Sequence, residues 1–267
     1  MKNENIKHHR TLCTSMHKKL LWGEMTRLEL HDLSERVDTV LLPVGSIEQH
    51  GPHLPLDTDT FDAMYILVEA VKRLHEPRPP ILPTVPYGLS EHHMGFRGTI
   101  TLQPQTLMAL VMDIGVSVKH NGFEKLFIYN AHGGNSNILK EVANQLRYDV
   151  GLQVFIDNGE SMEPGKKELV KSKNDVHAGE YETSTCLANR EESVVRENIT
   201  RPTLRFPHPS MEFDHQPPFF FTWYTHELTD TGAIGDPTEA SKEKGEMLWE
   251  RGVELLARRI DQICFRK

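Results

Sequence analysis

The sequence predicts an α/β protein in which a parallel or mixed sheet carries helices on both faces. Three observations predict it. Short, largely apolar runs at residues 40–44, 125–129 and 152–156 have the length of buried strands. Segments with apolar residues at helical spacing alternate with them. Polar clusters at 46–59 and 130–137 follow the first two runs directly, at the strand ends where sheets of this kind build their sites.

Residues 1–20 read as a polar arm and 21–267 as one domain, because no Gly/Ser linker or shift in composition divides the chain. After the strand at 40–44, Gly45-Ser46 opens a loop. Thr58 is placed as cap and Asp59 at the start of a helix through 63–74, with Ile66, Leu67, Ala70 and Val71 at helical spacing. Residues 77–86 hold too many prolines for a central strand and read as extended loop or edge. Residues 99–102 read as a short strand, and 103–120 as an apolar helix closed by Asn121-Gly122. A glycine-rich loop at 130–137 precedes an amphipathic helix at 138–148. Helices are expected at 180–189 and 238–263, with an irregular proline- and aromatic-rich segment at 202–218 between them.

Composition narrows the function classes. Hydrophobic residues make up 38% and charged residues 25%, values of an ordinary globular chain. A net charge of −8, with no basic stripe, disfavours nucleic acid and favours a small metabolite. Cys13, Cys186 and Cys264 are three and far apart, which argues against a disulfide framework and a thiolate zinc site and fits a reducing cytoplasm. No apolar run approaches the roughly 18 residues of a membrane span.

Three clusters carry chemistry. Residues 45–59 hold Glu48, His50, His53, Asp57 and Asp59 among glycines and prolines that forbid a regular helix. In an extended segment Glu48 and His50 share a face and could meet one metal or two neighbouring metals. Carboxylate and imidazole together suit Zn²⁺, Mn²⁺, Fe²⁺ or Co²⁺, although a solvated polar loop would have the same composition. In the second cluster His132 ends a strand ahead of Gly133-Gly134, which lets backbone approach a ligand, or simply turns into the next helix. In the third, 175–184, His177 sits at the N-terminal edge of a helix, where a neutral imidazole suited to accepting a proton is favoured. Asp175 is placed to orient that ring, or else to cap the helix.

In this order and spacing, GSIEQHGPHLPLDTD (45–59), GFRGTITL (95–102), NAHGGNSN (130–137), HAGEYETS (177–184) and TGAIGDPTEAS (231–241) resemble the creatininase family of metal-dependent amidohydrolases, from about Trp22 to the last helix. The resemblance implies a three-layer α/β/α domain, two divalent metals (Zn, Mn or Fe) and a closed homo-oligomer such as a hexamer. It implies that Glu48, Asp59 and His132 hold one metal, that His50 and Asp59 hold the second with Asp59 bridging, and that His177 is catalytic. Creatinine-hydrolysing members carry an acidic residue where this chain has Gly134; Glu182 is the expected replacement and shares the catalytic role. Ser90, His93, Arg97, Gly133, Gly134 and Asn135 are the expected substrate-binding residues. Trp22, Trp223 and Trp249 all lie outside 150–185, where creatinine-cleaving members enclose their ring, so creatinine is not the expected substrate. Residues 219–224 are expected at an oligomer interface or along the pocket. The leading expectation is hydrolysis of a small cyclic or linear amide. Carbon–carbon hydrolysis of a cyclic β-diketone and a silent metal-binding sensor are the alternatives.

Overall fold

The computed structural model describes residues 19–215 and 221–265; residues 1–18 of the expected arm and 216–220 of the aromatic segment lie outside the described residues. The fold begins before the expected arm ends. Ile81 N–H donates to Leu20 O (2.8 Å), and Lys19 pairs with Glu29 (2.9 Å).

Helix α1 (Arg27–Ser34) opens on a capping box in which Thr26 and Glu29 exchange side-chain and backbone hydrogen bonds. Strand β1 (Thr39–Val44) is followed by α2 (Thr58–Lys72) and α3 (Pro104–His120), then by β2 (Lys125–Asn130). Helix α4 (Ser136–Gln145) ends in a π-helical turn, Leu146–Val150, which feeds β3 (Gln153–Asp157) through Gly151. Helices α5 (Glu163–Leu169), α6 (Glu180–Asn189), α7 (Thr225–Leu228) and α8 (Lys242–Phe265) complete the order.

The strands pair in parallel in the order β1-β2-β3, with Val44 opposite Asn130 and Tyr129 opposite Asp157. Side chains alternate faces along a strand, and two apolar clusters follow from that period of two. Leu41, Phe127 and Tyr129 pack with Ile66, Leu67, Leu248, Val253 and Leu256 from α2 and α8. Val40, Leu42, Leu126 and Ile128 pack with Leu107, Val111, Leu139 and Val142 from α3 and α4. Helices thus cover both faces, giving three layers.

Some boundaries differ from expectation. Thr58 is the first residue of α2 rather than its cap, and its hydroxyl donates to Pro55 O (2.7 Å). Residues 99–102 form isolated bridges, Ile47–Ile100 and Gly88–Thr101, because no neighbouring strand continues the ladder. Residues 81 and 85 bridge to Leu41 and Val44 along the edge of β1, the extended edge that proline permits. The last helix starts at Lys242, after a 3₁₀ turn at Pro237–Glu239. Among the described residues no helix is long and apolar enough to cross a membrane.

Candidate metal centre

The loop leaving β1 is folded tightly onto α2. A Cβ at Gly45 would stand 2.6 Å from the Thr60 backbone, so glycine is required for this approach. Glu48 N–H donates to Leu56 O (3.0 Å), closing the loop so that Glu48 and His50 point inward. Asp59 arrives from the first turn of α2. His132 arrives two residues beyond β2. All four side chains are buried.

Ring hydrogens fix which nitrogens face the centre. His132 Nε2 lies 3.0 Å from Leu89 O, and His50 Nδ1 lies 3.1 Å from Glu48 O. A carbonyl only accepts, so those nitrogens carry hydrogen and the opposite nitrogens turn inward. His132 Nδ1 stands 3.3 Å from Glu48 Oε2 and 3.2 Å from Asp59 Oδ2. His50 Nε2 stands 3.2 Å from Asp59 Oδ1 and 3.7 Å from Glu182 Oε2.

His50 Nε2 and Asp59 Oδ2 are buried and have no aligned hydrogen-bond partner, despite these close approaches. Such orphaned atoms are rare in folded proteins. Two of them facing one cluster of carboxylates and imidazoles fit a divalent cation, and the oxygen and nitrogen donors match Zn²⁺, Mn²⁺ or Fe²⁺. Ligand atoms of Glu48, His50 and Asp59 lie within 4.8 Å of one another, as do those of His50, His177 and Glu182, and those of Glu48, His93 and His177.

Electrostatics agree with that donor set. Burial opposes charge on His50, but Asp59, Glu182 and Glu48 outweigh it and push the ring up to about 10. Burial likewise opposes charge on His132, and Glu48 and Asp59 push it up to about 9. Burial would raise Asp59, yet His50 and His132 hold it below the usual carboxylate range. Glu48, more enclosed than Asp59, is pushed by burial up to about 7. Protons occupy the positions that a cation would take.

His177 precedes α6, bridged to Ile234 by paired backbone hydrogen bonds (3.0 and 2.7 Å). Ala178 then adopts φ +49°, a left-handed conformation costly for a non-glycine residue. That turn lets Glu182 reach back and accept from Ala178 N–H (2.5 Å) while facing His50. Burial and the charge on His50 keep the His177 ring neutral, well below the usual imidazole range. Asp175 does not touch it. Its carboxylate accepts from Glu180 and Tyr181 N–H (2.7 and 3.1 Å), capping α6, because a helix start offers free donors and the ring does not.

Several expected substrate-binding side chains are committed elsewhere. Ser90 is fully buried, with its hydroxyl 2.5 Å from Glu48 Oε2 and 2.6 Å from Ser46 Oγ. Asn135 is fully buried too; its amide donates to Gly45 O and Asn130 Oδ1 and accepts from Leu89 N–H. His93 lies inside the cluster, 3.3 Å from Glu48 Oε1. Arg97 is exposed and makes no hydrogen bond or ion pair among the described residues. Gly133 and Gly134 are exposed beside His132.

The fold also brings in one aromatic residue of the 219–224 segment. Trp223 stands edge-on to His92 (5.0 Å between centroids) and His93 (6.4 Å), backed by Phe213 (5.7 Å). Asn174 and Asp214 hold that segment down through reciprocal hydrogen bonds (2.8 and 3.1 Å). Trp223 thus takes the pocket side of the two places expected for residues 219–224. Only long-range packing, invisible in a local pattern, carries Trp223 here.

A parallel three-layer domain with buried carboxylates and imidazoles converging at its strand ends is the architecture of a metal-dependent hydrolase. The chain belongs to the creatininase family, whose sequence model, described as creatinine amidohydrolase, matches residues 23–260. The mycofactocin precursor peptide peptidase of Mycolicibacterium smegmatis is 32% identical over 245 residues, covering 89% of each chain. The creatinine amidohydrolase of Pseudomonas putida is 27% identical over 263 residues, covering 91% of this chain and 96% of its own. A solved manganese form of creatininase superposes with a TM-score of 0.78 at 25% identity, covering 92% of this chain and 99% of that one.

Gly134, where the resemblance expects an acidic residue in creatinine-hydrolysing members, leaves no room for one. A Cβ there would stand 2.3 Å from Leu89 O and 2.5 Å from His132 Nε2, so no side chain fits without moving the hydrogen bond that orients His132.

Proposed function

We propose that this chain hydrolyses the carbon–nitrogen bond of a small or peptide-like amide at a two-metal centre. Glu48, Asp59 and His132 hold one ion, and His50, Asp59 and Glu182 the other. The observation that carries this is the pair of orphaned buried atoms, His50 Nε2 and Asp59 Oδ2, inside that donor set. When bound, the two ions would lower the pKa of a water toward neutrality and polarise the substrate carbonyl.

The chain's own groups supply the proton chemistry. His177 is neutral, and its Nε2–H is occupied by Gln49 O (2.6 Å). Its Nδ1 lone pair therefore faces the centre, 3.5 Å from Glu48 Oε1, where it can take a proton and pass it to a departing amine. Trp223 and His92 wall the approach and exclude water from one side. Gly133 and Gly134 leave backbone open on the other, and Arg97, without a partner among the described residues, offers its guanidinium for a substrate carboxylate. Exposed Leu110, Val116 and Tyr148 on the α3–α4 side support assembly into a closed homo-oligomer.

The test is a screen of protein reconstituted with Zn²⁺, Mn²⁺ or Fe²⁺ against formamides, cyclic amides, short peptides and polyhydroxy cyclic β-diketones. Metal-dependent release of an amine supports the proposal. Cleavage of the diketones alone would reassign the bond, and loaded protein inert toward every compound would favour a binding role.

A further inference from the structure

Gln49 lies between His93 and His177, two of the three histidines that face Glu48. Oε1 accepts from Gly51 N–H (3.0 Å), and Nε2 donates to Gly232 O (3.0 Å), so the amide orientation is fixed by two backbone groups of opposite polarity. Gly232 (φ +87°) leaves the room this requires, since a Cβ there would stand 2.0 Å from Gln49 Oε1. One Nε2 hydrogen remains. It has two neighbours, His93 Nδ1 at 2.9 Å and His177 Nε2 at 3.1 Å.

The choice between them is forced. His177 Nε2 lies 2.6 Å from the backbone carbonyl of Gln49, a separation that places hydrogen on that nitrogen. It cannot accept a second one. The remaining amide hydrogen therefore goes to His93 Nδ1, which must be bare. The Thr225 hydroxyl, 2.7 Å from the same nitrogen, has a single hydrogen and lies 3.0 Å from His92 O, which can only accept it, so the bare Nδ1 rests on the Gln49 amide. With Nδ1 an acceptor, the neutral His93 ring carries its hydrogen on Nε2, pointed at Glu48 Oε1.

We infer that Gln49 is a positioning residue that sets the tautomers of both His93 and His177. Through its backbone carbonyl it turns the His177 Nδ1 lone pair toward the centre. Through its side chain it makes His93 a hydrogen-bond donor to Glu48, so His93 is not a metal ligand although its Nε2 lies within ligand reach. Two chemically identical rings, 4.0 Å apart, thereby acquire opposite functions at the same carboxylate oxygen. The significance of His177 for turnover rests on the proposed function; the tautomer assignment does not.

The experiment is long-range ¹H–¹⁵N correlation of the full chain labelled with ¹⁵N-histidine, metal-free and loaded with zinc. Both His93 and His177 are expected as Nε2–H forms. Gln49→Glu can accept but cannot donate, so His93 should change to the Nδ1–H form while His177, held by a backbone carbonyl, stays as it is and zinc stoichiometry is kept. A wild-type His93 in the Nδ1–H form overturns the inference, as does a zinc-loaded structure with His93 Nε2 bound to the ion. If the Glu variant does not fold, the wild-type spectrum alone decides. Failure of the substrate screen would leave the tautomer result standing, so the two readings fail separately.

Discussion

His50 Nε2 and Asp59 Oδ1 face each other across 3.2 Å, both buried and neither aligned to share a hydrogen bond. In metal-free protein that arrangement holds an extra proton on His50, pushed up to about 10, and a second on His132, pushed up to about 9. Both values exceed the ordinary 6.5, so the stabilisation they give is complete below about pH 6.5 and is lost as pH rises through 9 to 10. A cation replaces those protons. Metal binding near neutral pH should release about two protons, read by calorimetry in buffers of different ionisation enthalpy. The metal-free melting temperature should fall between pH 7 and 10, and the loaded protein should lose less. Binding without proton release would place the ion away from these rings.

Glu182 lies 3.7 Å from His50 and is the carboxylate available on that side, since residue 134 has no side chain. Glu182→Gln keeps the shape of the side chain and removes its charge. Metal content, measured by elemental analysis after dialysis, should drop from about two ions per chain to about one. Full occupancy in the variant would show that the second ion uses other donors.

Gly134→Ala tests the same corner from the opposite side. The added methyl would meet Leu89 O and His132 Nε2 well inside contact distance, so the turn at Gly133–Asn135 must shift. A loss of about 1–3 kcal/mol in unfolding free energy is expected, together with weaker metal retention as His132 loses its anchor. Unchanged stability would mean that this turn yields freely.

How far the sequence disclosed this site depends on the range of each signal. The strands, the helix pattern and the loop holding Glu48, His50 and Asp59 are local features, so periodicity and glycine placement were enough to locate them. The box Thr26-x-x-Glu29 is just as local and marks the start of α1. The family resemblance expects Ser90 and Asn135 on the substrate side. Burial, which no spacing reports, turns them inward onto Glu48 and Gly45. Trp223 meets His92 across some 130 positions, and Gln49 meets His93 across 44 and His177 across 128, ranges that only packing reveals.

His177→Ala should separate proton handling from metal binding. The ring touches Glu48 but is not needed to complete either proposed ligand set. Metal content should stay at the wild-type level while kcat on the amide found by the screen falls about 10²–10⁴-fold. Loss of metal in the variant would recast His177 as a ligand, consistent with its nearness to His50 and Glu182.

Ser90→Ala should show the converse behaviour. The hydroxyl donates to Glu48 Oε2 at 2.5 Å, and its oxygen also lies 3.2 Å from His132 Nε2, so one group steadies two proposed ligands of the same ion. Removing it frees the Glu48 carboxylate to rotate and leaves its oxygen short of a donor in a closed interior. Metal affinity, measured by competition with a chromophoric chelator, should weaken about 10–100-fold, while turnover at saturating metal stays close to wild type. A variant with unchanged metal affinity and a raised KM would instead return Ser90 to the substrate side, where the family resemblance expects it.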